Sequence, residues 1–133
     1  MAFKVGDQMS ITVTVTEKMV QQFAEMSGDF NPVHMDEEHA KKTRFGRRIA
    51  HGMISAAIIS RALAMELGPG GIYLAQTLKF VNPIFINDTV VIGLSVKSLR
   101  SSGIGVIETT VTKEGSGEVC VKGEATIMAG DAV

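Results

Sequence analysis

The sequence predicts an α+β fold in which an antiparallel sheet of about five strands wraps one long buried central helix. Three observations lead there. Residues 10–16 alternate Ser/Thr with Ile/Val, the period of two that marks a half-buried strand. Residues 50–67 are apolar almost all round, as a helix in the middle of a domain is. From Ile72 onwards, four stretches rich in Val, Ile, Thr and Leu follow one another with only short turn clusters between them, which implies antiparallel neighbours.

Size and charge narrow the function. A chain of 133 residues suits a single domain, 1–133, with one core. A formal net charge of -1 points away from nucleic acid or an anionic membrane as the main partner. No uncharged apolar run is long enough to span a bilayer, and residues 1–10 lack the apolar centre of a signal peptide. The lone Cys120 excludes an internal disulfide framework, so a cytoplasmic protein is expected.

After a turn at Gly6-Asp7 and the strand at 10–16, Thr16 is placed to cap a helix, with Glu17 in its first turn where the dipole favours an anion. Met19, Val20, Phe23 and Met26 fall on one helical face, and Gly28 supplies the stop. Residues 26–34, Met-Ser-Gly-Asp-Phe-Asn-Pro-Val-His, follow. Gly28 and Pro32 fix an irregular path, and Pro32 pushes Asn31 towards an extended conformation. A stiff loop therefore carries an acid, Asp29, and an imidazole, His34, two groups suited to proton transfer near neutral pH. Read alone, Asp29 is equally a turn former and His34 a buried, hydrogen-bonded ring.

Asp36 looks like a second N-cap, and Glu37 and Glu38 stand four residues before Lys41 and Lys42, a favourable helix pairing. Residues 41–48 form a basic cluster with a loop at Gly46. It reads either as a solvated face or, through Arg44, Arg47 and Arg48, as a seat for the phosphates of a ligand. The helix at 50–67 carries Gly52, Ser55, Ala56, Ala57, Ser60, Ala62 and Ala64, small residues that admit a close neighbour, and residues 68–71 end it. The strands are expected at 72–81, 89–100, 103–112 and 118–128, with Cys120 a small apolar filler.

The run from Phe23 through Ser27-Gly28-Asp29-Phe30-Asn31-Pro32-Val33-His34, with Ala40 following, resembles the hydratase motif of the MaoC-like (R)-specific enoyl-CoA hydratases. His51-Gly52-Met53 matches that family's second hallmark, and residues 80–89 resemble its third. The likeness covers nearly the whole chain. It implies the hot-dog fold, the architecture already read from the pattern, and a homodimer or a pair of dimers. Two positions depart from the family: Met26 replaces a branched aliphatic or glycine, and Asn87 replaces a turn glycine. Asn also accepts a left-handed φ, so that turn is expected to survive.

The resemblance implies an acyl-CoA substrate, with CoA part of that substrate rather than a cofactor, and no metal. It makes Asp29 and His34 an acid/base pair flanking one water, with His34 preferred as the main base and the reverse division open. It gives Asn31 a supporting role and makes the Gly52 N–H, at the helix start, the oxyanion donor. Ser60 either supports the site or bonds back to the Ala56 carbonyl; His51 is expected to serve the helix start. A calcium loop fails because Val33, His34 and Ala40 stand where ligands and a glycine are needed, and a His34/His39 zinc site has the wrong spacing. An acyl-CoA thioesterase and a non-catalytic acyl-binding subunit are the alternatives. Acyl chain length and the choice between CoA and an acyl carrier protein are left open.

Overall fold

The structure, a computed structural model, describes residues 3–66 and 69–133. The strands are β1 (Gln8–Thr14), β2 (Ile72–Gln76), β3 (Lys79–Phe80), β4 (Thr89–Leu99), β5 (Ile104–Lys113) and β6 (Val119–Met128). The helices are α1 (Glu17–Ser27), α2 (Pro32–Met35), α3 (Glu37–Lys41) and α4 (Gly52–Glu66). All pairings are antiparallel, in the order β1-β4-β5-β6-β2, with β3 on β6 beside β2. Inward–outward alternation is clearest in β4, where Val90, Ile92, Leu94 and Val96 all turn inward and are buried. They meet Ile54, Ile58, Ile59 and Leu63 of α4, together with Ile107, Val111, Val121 and Ile127 of the neighbouring strands. This is a sheet curled over one helix, the hot-dog arrangement. Cutting the fully buried Ile59 back to alanine removes about 2–5 kcal/mol of such packing.

Local signals explain most boundaries. The Thr16 hydroxyl accepts the Met19 N–H at 3.2 Å, and Gly28 closes α1 at φ 80°, its N–H on the Ala24 carbonyl at 2.8 Å. Asp36 caps α3 through the N–H groups of Glu38 and His39. Asn87, at φ 75°, is the one non-glycine with positive φ among the described residues, and it makes the turn that glycine would otherwise make.

Five expectations need correction. Residues 72–81 are not one strand: pairing breaks at Thr77-Leu78, where the Thr77 N–H bonds the Glu124 carbonyl and the chain crosses directly over Gly123. The long helix begins at Gly52, because the Ala50 N–H is drawn to the Ile84 carbonyl at 2.7 Å and Ile49 bridges to Phe85; its expected end at 67–68 lies outside the described residues. That helix is buried on one face only, since Met53 and Met65 are more than half exposed in the single chain. Met26 is exposed too, so the apolar face of α1 is Met19, Val20, Phe23 and Ala24. Lys41 pairs with Glu38 one turn back rather than with Glu37.

Candidate active site

The Asp29–His34 stretch is held by its own short side chains. The Asp29 N–H donates to the Ser27 hydroxyl, Asp29 Oδ1 accepts the Asn31 N–H, and Asn31 Oδ1 accepts the Val33 N–H at 3.2 Å. Asn31 thus works as the N-cap of α2, with Pro32 in that helix's first turn. His34 therefore projects from a helical turn instead of the irregular loop the sequence suggests.

The segment 48–51 runs alongside and grips this stretch. Arg48 Nε donates to the His34 carbonyl at 2.6 Å, the Ile49 N–H to Val33 at 3.2 Å, and His34 Nδ1 to the Ile49 carbonyl at 2.8 Å. His51 Nε2 donates to the Asp29 carbonyl at 2.9 Å. A carbonyl only accepts, so these contacts set both tautomers: hydrogen on His34 Nδ1 and on His51 Nε2. His34 Nε2 is left with its lone pair, as a base needs.

His34 is held below its ordinary pKa of 6.5. Burial is the largest cause, opposed by the hydrogen bond to Ile49; His51 and Arg48 lower it further, while Asp29 raises it. A carboxylate oxygen of Asp29 and ring nitrogens of His34 and His51 lie within 4.8 Å of one another. Two groups each about 2.8 Å from a shared water stand up to about 5.6 Å apart, so Asp29 and His34 are close enough to share one.

The same three residues invite a metal reading, which their geometry disfavours. A metal lies in the plane of each coordinating imidazole, whereas these rings stack with centroids 4.1 Å apart and planes 32° apart. His51 is buried, and its Nδ1 has no partner among the described residues, a condition costing about 1–3 kcal/mol for a buried acceptor.

Gly52 opens α4 with His34 on its flank, in a cleft of about 850 Å³, counting its open mouth, that Arg44, Phe80 and Asn82 also line. The first N–H groups of a helix lack intrahelical partners and carry the positive end of the dipole, so they favour negative charge here. The room is tight: a Cβ at Gly52 would sit 2.8 Å from the Phe80 ring.

The other candidates separate. Ser60, eight residues beyond Gly52 and so about 12 Å along α4, lines a different hollow with Leu63, Ala64 and Tyr73. One chain does not bring it to His34. The three arginines of the basic cluster have three fates. Arg44 stays beside the cleft, near the Phe45 ring. Arg47 lies 3.8 Å over the Phe85 ring in a separate depression. Arg48 is corrected from a phosphate ligand to a clamp: its Nη atoms bind both carboxylate oxygens of Glu17, at 2.7 and 2.9 Å, while its Nε holds His34. No local pattern announces a pairing 31 residues apart. The closeness of His51 to both Asp29 and His34 had one sequence hint, its place next to Gly52.

A family model described as MaoC like domain matches residues 4–119. An (R)-specific enoyl-CoA hydratase of Rhodospirillum rubrum is 42% identical over 94% of this chain and 87% of its own. One from Aeromonas caviae is 37% identical over 95% of both. Among solved structures, the unliganded R-hydratase PhaJ1 of Pseudomonas aeruginosa superposes with a TM-score of 0.91 at 42% identity, over 96% of this chain and 82% of that one. With the family match spanning most of the fold and the hydratase motif lying on the site just described, the chain belongs to the MaoC-like domain family.

Proposed function

We infer that this protein hydrates trans-2-enoyl-CoA to (R)-3-hydroxyacyl-CoA, reversibly. The observation that carries the reading is Asp29 and His34 brought within 4.8 Å of one another, with His34 Nδ1 committed to the Ile49 carbonyl and Nε2 left free, beside the Gly52 end of α4. The (R) stereochemistry rests on the named relatives. Water gives one proton to His34 Nε2 as its oxygen bonds the β-carbon. Electron density moves to the thioester oxygen, where the Gly52 N–H receives it; removing one such donor costs about 3 kcal/mol of barrier in other enzymes. The α-carbon then takes that proton, passed from His34 through Asp29, which returns His34 to its neutral form, and Asn31 holds Asp29 and the start of α2 in place. Arg44 is the one arginine of the cluster suited to a CoA phosphate, since it alone of the three lines this cleft.

The protein works as a homodimer or a pair of dimers. Supporting this, the exposed face of α4 presents Met53 and Met65, and the sheet-edge strand β2 presents Ile72 and Leu74. Ser60 lies on that same exposed face of α4. Light scattering on the purified protein reads the assembly directly. A cytoplasmic setting goes with the reading, supported by the single buried free thiol, Cys120.

The test is purified protein with crotonyl-CoA, followed for enoyl absorbance and for free thiol. Loss of absorbance without thiol is expected, and His34→Ala and Asp29→Asn should abolish it while leaving the fold intact. Thiol release would instead make it a thioesterase, and no change across enoyl chain lengths would leave an acyl-binding subunit.

A further inference from the structure

We propose that His51 is the positioning residue of this site, its ring fixing the orientation of His34 while its Nε2–H fixes the main chain at Asp29. The inference rests on the hydratase reading above and adds to it a residue that neither the proton transfers nor the oxyanion contact requires.

The geometry sets His51 apart from a packing histidine. It touches every part of the site: it bonds the Asp29 carbonyl, stacks 4.1 Å from the His34 ring, and immediately precedes Gly52. On its α1 side the Phe23 ring lies 4.8 Å away, so the imidazole cannot swing without disturbing the helix behind it. Its exposure is 2%. Packing alone would be served by phenylalanine or leucine, neither of which leaves an unpaired nitrogen such as Nδ1 in the interior. The ring nitrogen that is used, Nε2, points at the carbonyl of the acid itself. Errors of about 1 Å in the placement of reacting groups cost on the order of 10²-fold in rate. Holding both members of the pair from one rigid ring is a direct way to avoid that loss.

Two variants divide the roles of ring and donor. His51→Phe keeps an aromatic ring against Phe23 and His34 but leaves the Asp29 carbonyl without its donor; His51→Gln keeps a donor and loses the stacked ring. The groups facing His34 are Asp29, Arg48 and His51, with the Ile49 carbonyl on Nδ1. Of these His51 lowers the His34 pKa, so both variants should move the acid limb of kcat/KM, and the NMR titration of His34, to higher pH. His51→Phe should lower kcat by on the order of 10²-fold with KM within about threefold, and His51→Gln should recover about tenfold of that.

Wild-type kcat in both variants with an unmoved titration would overturn the proposal. So would equal losses in both that track only a fall in melting temperature. Should His51→Phe fail to fold, His51→Gln decides alone: wild-type kcat refutes the role, and a lowered kcat with KM and melting temperature little changed supports it. Wild-type protein inert towards enoyl-CoA would sink the hydratase reading instead, and the His34 titration would still judge His51.

Discussion

Replacing Arg48 by alanine separates a clamp from a substrate ligand. The side chain is 13% exposed and serves two partners. Its Nε–H to the His34 carbonyl is a charge-assisted hydrogen bond at 2.6 Å, worth about 1.5–3 kcal/mol. Its forked pairing with Glu17 is geometrically good, but Glu17 is 49% exposed, so solvent screening holds that part to about 0.5–1 kcal/mol. Together these give about 2–4 kcal/mol, which for a chain between the small and mid-sized classes corresponds to a melting temperature lower by roughly 6–15 °C. Losing the grip on His34 also loosens the base, so kcat should fall more than KM rises. Arg48→Lys should recover little, because an ammonium cannot make the fork and the carbonyl bond at once. Thermal melts and steady-state kinetics with crotonyl-CoA read both effects, and the Glu17 share should shrink in high salt. A variant with wild-type melting and kcat but a raised KM would refute the clamp and return Arg48 to the phosphates.

Three further outcomes follow from the same geometry. Because His34 is held below 6.5, it stays a neutral base at pH 7, and the acid limb of kcat/KM should lie below pH 6.5; a limb above that value would contradict it. The linked stability has the matching sign: His34's contribution is present above 6.5 and is lost as pH falls and the unfolded chain takes up the proton first, which urea titrations at stepped pH would detect. Gly123→Ala puts a Cβ 1.8 Å from the Thr77 carbonyl oxygen, a backbone atom that cannot step aside, so the edge pairing of β2 and β3 with β6 should be disrupted and the melting temperature should drop steeply. Arg44→Ala should raise KM for the CoA ester with little change in kcat, whereas Arg47→Ala, stacked on Phe85 away from the cleft, should leave KM alone; steady-state kinetics on the two variants compares them.

Features written in neighbouring residues were legible before any coordinates. The Thr16 cap, the Gly28 stop, the Asp36 cap and the left-handed Asn87 each depend on one side chain and the backbone beside it. The closeness of Asp29 and His34 was legible for the same reason, the two being compressed into six residues. What the pattern missed was made by distant chain segments. The break between β2 and β3 comes from Gly123 lying beneath Thr77, and the late start of α4 from Ile84 drawing in the Ala50 N–H. The division of labour among Arg44, Arg47 and Arg48 follows from Phe45, Phe85 and Glu17, only the first of which is near in sequence. Composition alone made α4 look wholly buried; its helical faces differ only once one of them has a sheet against it.

The strap formed by segment 48–51 bears on how the molecule comes apart. Its bonds to Asp29, Val33 and His34 lie outside the ladders that hold β4 to β5 and β5 to β6. The strap and the α2 turn are therefore expected to open together while the sheet stays closed. In hydrogen exchange the Ile49 and His34 amides should exchange through that smaller opening, well before the amides of Ile92 and Ile107, which wait for global unfolding. On gentle heating the protein should lose its chemistry first and its sheet later, with cooling restoring both.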